Sequence, residues 1–461
     1  MRRGESQARL DPQYQELERR KRAYYLNALF PLTPIGALAT FVQYGISERA
    51  NTAGLGVPII RMNNLQANGW DFSDIKHIEL DEAELDRYRL LKGDLLFNRT
   101  NSKELVGKCE VFEESGDWVF ASYLIRVRID AHRTLPQFIS SFLNCPAGRI
   151  QIDQVSRQIA GMTNVNAEEL RLLEIPLPPL DVQRCLVVEL DSARAERDHA
   201  LAEADRLLHS IDKYVLAELA ILPEADGRRV FAVRLNQVKP RLDADYHSPY
   251  FQRLRRSIEQ SKHATKNLGD LALFMRTGFA AGRQDQAKGD EAAVPHLRPL
   301  NLNPWGELSI AETKSVPASR VKEDDYVGKG EVLFNNTNSA EWVGKTTVFD
   351  LETPCACSNH MTRIALKPGI DPHFVAALLN AFRGIGYFSA LSTFFNNQAG
   401  INISTLAELR VPVPDTETQS SIAREVVSRK DKARELQIHA ETVWREARER
   451  FEQQLLQGGK A

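Results

Sequence analysis

The chain is written twice. Residues 93–112 read GDLLFNRTNSKELVGKCEVF and residues 330–349 read GEVLFNNTNSAEWVGKTTVF, with 13 of 20 positions identical at a constant offset of 237. Chance does not give that density, and a fixed-period repeat constrains the fold more than any single motif. The same offset carries Val57-Pro58-Ile59-Ile60-Arg61 onto Val294-Pro295-His296-Leu297-Arg298, and Asn64 onto Asn301. With small insertions the register extends both ways. Arg9-Leu10-Asp11 matches Arg241-Leu242-Asp243, and Ile35-Gly36 with Leu38-Ala39 matches Leu268-Gly269 with Leu271-Ala272. Ala160-Gly161 and Asn164 match Ala399-Gly400 and Asn402, Ile175-Pro176-Leu177-Pro178 matches Val411-Pro412-Val413-Pro414, and Gln183 matches Gln419.

Each copy divides in two. Short apolar runs such as VPIIRM, GDLLFN, CEVF and YLIRVRI, bounded by Gly, Asn and Asp, predict strands. PQFISSFLNC and PHFVAALLNAF open on Pro and space apolar residues three and four apart, which predicts helices. The globular parts, 1–174 and 223–410, are therefore α+β. The segments 175–222 and 411–461 begin at a proline-rich junction and change period. Val187, Leu190, Leu201, Ala204, Leu208, Ile211 and Val215 follow a heptad stripe, interrupted by Arg194 and Arg197. Val426, Ala433, Leu436, Ala440, Val443 and Ala447 do the same in the second segment. About 40 residues at 1.5 Å each give a helix of roughly 60 Å. A narrow apolar stripe needs a partner, and the duplicated chain supplies a matched one.

Composition bears mainly on partners. The 461 residues carry 59 Lys+Arg against 61 Asp+Glu, net −2, which excludes a protein that coats nucleic acid by bulk charge. By segment the net charge is −1 over 1–174, −4 over 175–222, +3 over 223–410 and 0 over 411–461, so any basic surface is a local patch. Five cysteines do not suggest a disulfide framework, and no run approaches the roughly 18 apolar residues of a membrane span. These features lead us to expect a cytoplasmic chain.

Catalytic patterns are weak. Gly344-Lys345-Thr346 ends like a phosphate-binding loop, but Ser339 stands where the first glycine is required; Ser102 holds that place before Gly107-Lys108-Cys109. Asn303-Pro304-Trp305 lacks the second proline of a base-holding methyltransferase loop. Glu312-x-Lys314 is a common pair, and Cys355-x-Cys357 with His360 misses zinc spacing. Two unlike copies of one domain instead suit an object that engages two different half-sites on DNA, as dimeric readers engage two like ones. Polar positions that differ between copies are candidates for base readout: Arg99 against Asn336, Lys103 against Ala340, and the glycine-bounded loops 45–56 with Arg49 and 278–289 with Arg283 and Lys288. Shared polar positions, Arg61 and Arg298, and Asn101 and Asn338 in the two TNS strings, suit either phosphate contacts or turn capping.

The chain resembles the specificity subunit of type I restriction–modification enzymes along nearly its whole length. The resemblance rests on GDLLFNRTNS and GEVLFNNTNS and above all on Ile175-Pro176-Leu177-Pro178-Pro179-Leu180-x-x-Gln183 leading into a long helix; the second copy departs from it with Asp415 in place of Pro179. It implies two target-recognition domains, each reading one half of a bipartite site in double-stranded DNA, held apart by an antiparallel two-helix coiled coil in a pseudo-two-fold arrangement. Leu190, Leu201, Leu208, Ile211, Val215, Val426, Leu436 and Val443 are expected to pack the helices. The resemblance further implies no chemistry and no cofactor in this chain. Two methyltransferase subunits using S-adenosylmethionine, and restriction subunits using ATP and Mg²⁺, are the expected partners. A protein-binding adaptor and a stand-alone DNA-modifying enzyme are the competing readings.

Overall fold

A computed structural model describes residues 12–26, 28–66, 69–102, 105–159, 162–221, 230–234, 238, 241–288 and 292–456. The chain forms two compact units, one of residues 1–200 with 438–461 and one of residues 201–437. The division cuts through both long helices, Leu180–Glu218 and Thr416–Leu455, so each unit contains half of each.

The duplicated motif is the middle of a sheet. In the first unit the four-stranded antiparallel order is Ala39–Tyr44, Leu124–Ile129, Leu95–Asn98, Cys109–Val111. In the second it is Ala272–Thr277, Met361–Leu366, Val332–Asn335, Thr346–Val348. The register repeats as well: Phe97 lies between Ile125 and Cys109, and Phe334 between Thr362 and Thr346. All four residues of Leu95–Asn98 and of Val332–Asn335 are buried, as a central strand covered on both faces requires.

One face of each sheet carries the predicted helix, Pro136–Asn144 or Pro372–Gly384, started by proline at its first position. Asn144 accepts from the Cys109 amide at 3.2 Å and donates to the Cys109 carbonyl at 2.6 Å. Asn380 does the same with Thr346, at 3.1 and 2.7 Å. Each asparagine thus satisfies the outer edge of its sheet, where an unpaired backbone would otherwise be buried. Gly107 and Gly344 turn the chain from the central strand into the edge strand with φ of 82° and 94°, and a Cβ there would overlap Ile152 or Phe388.

The proline junctions also repeat. Glu174–Pro176 pairs with Leu32–Pro34, and Arg410–Pro412 with Thr265–Asn267. Gln183 is buried; its Oε1 accepts from Leu135 N at 2.9 Å and Thr134 Oγ1 at 3.0 Å, and its Nε2 donates to Pro178 O at 2.8 Å. Gln419 accepts from Asp371 N at 2.9 Å and donates to Pro414 O at 2.9 Å. Each glutamine ties the start of its long helix to the loop before the sheet-covering helix.

In the first unit the long helices run antiparallel: Glu189 meets Gln454 and Glu196 meets His439. Leu190 is buried there and Val443 is partly buried. In the second unit Leu208, Ile211, Val215 and Val426 are buried, Leu436 packs at the edge, and Ser210 accepts from Arg429 at 2.9 Å. Leu201 is a correction: it is 41% exposed, and Ala200 and Ala204 are buried in its place. Mid-helix, the inward positions are Ala193, Arg197, Ala200 and Ala204, so a leucine one residue past Ala200 falls on the flank. The arginines that break the heptad stripe have a partner in Trp444. Arg194 and Arg197 lie over its ring at 5.8 and 5.0 Å.

The structure also corrects one match between the copies. Asn402 caps the helix Ile403–Ala407, accepting from Thr405 N; its counterpart is Asn166, which caps Ala167–Arg171 by accepting from Glu169 N. Asn164 lies instead in the strand Met162–Asn164, opposite Thr100, where the second unit has Gly400 opposite Thr337. From this point the offset is 236; Ala160 and Gly161, like Arg9-Leu10-Asp11, lie outside the described residues.

Candidate nucleic-acid interface

The TNS strings run from strand into turn: the carbonyls of Ser102 and Ser339 accept from the Leu105 and Trp342 amides at 3.1 and 3.0 Å. Thr100–Asn101 and Thr337–Asn338 are short strands that leave the four-stranded sheet and join a small second one. Their partners are Met162–Asn164 in the first unit and Gln398–Gly400 in the second. In the second unit this small sheet forms one wall of an open groove of about 760 Å³. Asn338 and Gln398 belong to that wall, and Trp342, Lys345, Arg298 and His360 also line the groove. No carboxylate lines the groove among the described residues. Its polar groups are amides, hydroxyls, an imidazole and cations, a set that can meet base edges and phosphates but would not repel a polyanion.

Lys345 is buried and donates to the carbonyls of Pro299 at 2.8 Å and Leu302 at 2.5 Å, with its pKa lowered by burial and by nearby Arg383. The Gly-Lys-Thr string is therefore a strand start whose lysine holds the loop carrying Arg298. Arg298 is half-buried, with its guanidinium 3.4 Å from the Ala281 carbonyl and its own amide donating to Asn301 at 2.8 Å. Its counterpart Arg61 is committed to Asp74, donating to the carboxylate at 2.8 Å and to the backbone carbonyl at 2.7 Å. Cys355 and Cys357 are buried, and burial pushes them up to about 11 and about 12, so both are neutral thiols near pH 7.

The other candidates separate by unit. Arg49 and Arg283 are exposed in their loops, and Lys288 is exposed beside a further polar or ionic contact. Asn338 is half-buried and accepts from the Ser339 amide at 2.9 Å. For Asn101 the structure describes the backbone pairing alone, and Lys103 lies outside the described residues. Arg99 and Asn336, the differing pair, behave oppositely. Asn336 is buried, donates to Asn359 O and Thr362 Oγ1, and accepts from Thr337 Oγ1. Arg99 is half-buried, stacks 5.0 Å from the Tyr44 ring centroid, and leaves its buried Nε without a partner among the described residues. Tyr44 is 40% exposed and fixed by accepting from the Ala167 amide at 2.8 Å. Arg99 is a held guanidinium with donors to spare, whereas Asn336 has none.

Several site residues escaped the sequence reading. Trp342 takes Lys345 and Arg383 over its ring, each at 5.7 Å, and Phe394 and Phe395 stand exposed beside the groove. Tyr44 had no signal of its own. The string FFNNQ did carry one, two turn-forming residues after a pair of strand-forming aromatics.

No family model matches the chain. It is 29% identical over 195 residues to the type I restriction enzyme EcoKI specificity subunit of Escherichia coli strain K12, across 40% of this chain and 42% of that one. It is 23% identical over 176 residues to the putative type I restriction enzyme MjaX specificity subunit of Methanocaldococcus jannaschii, across 38% and 39%. The alignments thus span about two fifths of the length of these curated relatives. A solved chain described under "complex assembly and conformational transition of the type I R-M system" shares the fold with a TM-score of 0.54 at 14% identity, over 92% of this chain and 96% of that one. Within the described residues no helix is long and apolar enough to cross a membrane. The relatives that this chain matches are type I restriction enzyme specificity subunits.

Proposed function

We propose that the chain is the DNA sequence-recognition subunit of a type I restriction–modification complex. It reads a bipartite, asymmetric target and docks methyltransferase and restriction subunits. The observation that carries the reading is the likeness to specificity subunits over 195 residues. Three features support it: the duplicated sheet, the carboxylate-free groove in the second unit, and the held guanidinium of Arg99 in the first. On this reading 1–174 and 223–410 are the two target-recognition domains, and 175–222 and 411–461 form a paired helical spacer with pseudo-two-fold symmetry. Recognition divides between polar groups that fix the protein on phosphates and side chains that meet base edges. Arg298, Asn101 and Asn338, shared between the copies, suit the first role, and Arg99, Lys103, Arg49, Arg283 and Lys288, which differ, the second. Asn336 and Arg61 act one step back, ordering the loops around them. The chain itself performs no chemistry and holds no cofactor. S-adenosylmethionine, ATP and Mg²⁺ belong to its cytoplasmic partners.

The experiment is a selection from a randomised duplex library by the full chain co-purified with the methyltransferase subunits of its own cell. Enrichment of one split sequence with unlike halves is the expected result, and enrichment of no sequence refutes the reading. Methylation of adenines in that sequence by the complex, and not by the chain alone, separates a recognition subunit from an enzyme.

A further inference from the structure

The second unit carries a hairpin that the reading above leaves unused. Thr393–Phe395 pairs with Gln398–Gly400 across a two-residue turn. Asn396 and Asn397 both have positive φ, 44° and 60°, the turn geometry that matches the natural twist of paired strands. Successive side chains on a strand point to opposite faces, yet Phe394 is 53% exposed and Phe395 49%. Each face of the outer strand keeps a ring about half open to water, so this strand projects. Its base is fixed: Ala399 is fully buried, and Gln398–Gly400 pairs with Thr337–Asn338. Gly400 leaves space for the Phe395 ring, whose Cε1 lies 2.8 Å from where a Cβ would stand.

An anchored strand presenting two phenylalanines to water sits on the wall of a groove that holds Arg298 and, among the described residues, no carboxylate. Proteins that bend DNA place apolar wedges between base steps while nearby cations hold the phosphates. We propose that this hairpin enters the duplex beside the half-site read by the second unit, with Phe394 unstacking a base step and Phe395, seated over Gly400, backing the strand. The inference rests on the DNA-recognition reading and adds deformation of the target to it. In the first unit the strand at the same register is Arg157–Ile159, Arg-Gln-Ile, which supplies no aromatic ring. The unstacking is therefore confined to one half of the target.

The test uses the co-purified complex and the duplex that it selects, with 2-aminopurine replacing adenine in one half or the other. Wild-type complex raises the fluorescence in one half alone. F394S/F395S abolishes that rise and weakens binding about tenfold, while F394L/F395L, which keeps apolar bulk, retains both. If the wild-type complex selects no sequence, the recognition reading and the wedge fail together. A selected sequence with no rise in either half, or a rise that F394S/F395S leaves intact, overturns the wedge and leaves recognition standing. Loss of methyltransferase subunits from the F394S/F395S preparation, with DNA affinity per complex unchanged, overturns it in favour of a protein-docking role.

Discussion

The strands Leu95–Asn98 and Val332–Asn335 occupy the same place in their sheets, and each is followed by a residue whose amide bonds a loop carbonyl, Tyr123 for Arg99 and His360 for Asn336. Beyond the backbone the two positions part. Asn336 spends its side chain inside the unit, and Arg99 stacks on Tyr44 with donors unspent. The buried ion pairs show a similar divergence. Arg363 donates to both oxygens of Glu331, at 2.7 and 2.8 Å, and to the carbonyls of Asp324 and Tyr326. Arg126, at the same register, donates to the carbonyls of Arg87 and Arg89, but its carboxylate Asp94 lies 3.7 Å away and bonds Arg128 at 2.8 Å. Burial and the nearby Arg128 lower Arg126 to about 10 despite Asp94. Position 365, where the second unit would need Arg128's counterpart, is alanine. Duplication thus kept the backbone frame and the presence of a buried arginine, while side chains around it were free to change partners.

The sharpest way to break this comparison is to remove the carboxylates. Asp94→Ala strands two guanidiniums and is expected to cost about 3–5 kcal/mol. Glu331→Ala strands one, which keeps two carbonyl acceptors, and should cost less. Equal losses in urea unfolding would show that Arg128 adds nothing to the first unit. Next in size is Gln183→Ala, which leaves buried backbone groups of Leu135 and Pro178 unpaired and should cost about 2–3 kcal/mol. Gln419→Ala removes fewer bonds, and thermal unfolding of the two variants should rank them in that order.

Arg99→Ala sharpens the contrast in binding. It should weaken affinity for the selected duplex about tenfold and relax preference in one half-site, with a melting temperature close to wild type. Asn336→Ala should do the reverse, costing about 1–2 kcal/mol of stability and leaving base preference in place. An effect present only at higher pH concerns Asp212, which burial raises to about 6 despite the opposing pull of Arg383 and Lys430. Its carboxylate packs on Gly384, the last residue of the helix Pro372–Gly384, where the helix dipole opposes a negative charge. With the folded pKa above the usual carboxylate value, the protonated form stabilises the fold below about pH 4, and that contribution is lost as pH rises through 6. Asp212→Asn should therefore be more stable than wild type by about 3 kcal/mol at pH 8 and indistinguishable near pH 4 in thermal melts.

The frame was legible because it rests on local pattern. The GDLLFN and GEVLFN runs are the buried central strands expected of them, and the proline-started helices form as spaced. The role of Gln183 and Gln419 was marked by their recurrence, although only three dimensions show what they clamp. What sequence concealed depends on distance along the chain. Asp94 and Arg126 are 32 residues apart, and nothing in YLIRVRI indicates which arginine turns inward. Leu201 was misplaced because large apolar residues draw the eye, whereas the mid-helix seam is built of alanines. The Asn164–Asn402 match failed for a related reason: identity at two letters outweighed a capping function that Asn166 performs. Of the candidate site, the differing pair at 99 and 336 was visible, but which member has donors free was a question of burial.

Phe451, Leu455 and Leu456 lie in the same hydrophobic cluster as Phe97 and Phe138, in the first unit. A nascent chain leaving the ribosome would normally settle its earliest domain early. Here the first unit cannot close until residues 438–456 have followed, while residues 201–437 already form a continuous stretch of chain. The half that is translated first is thus the half that is sealed last.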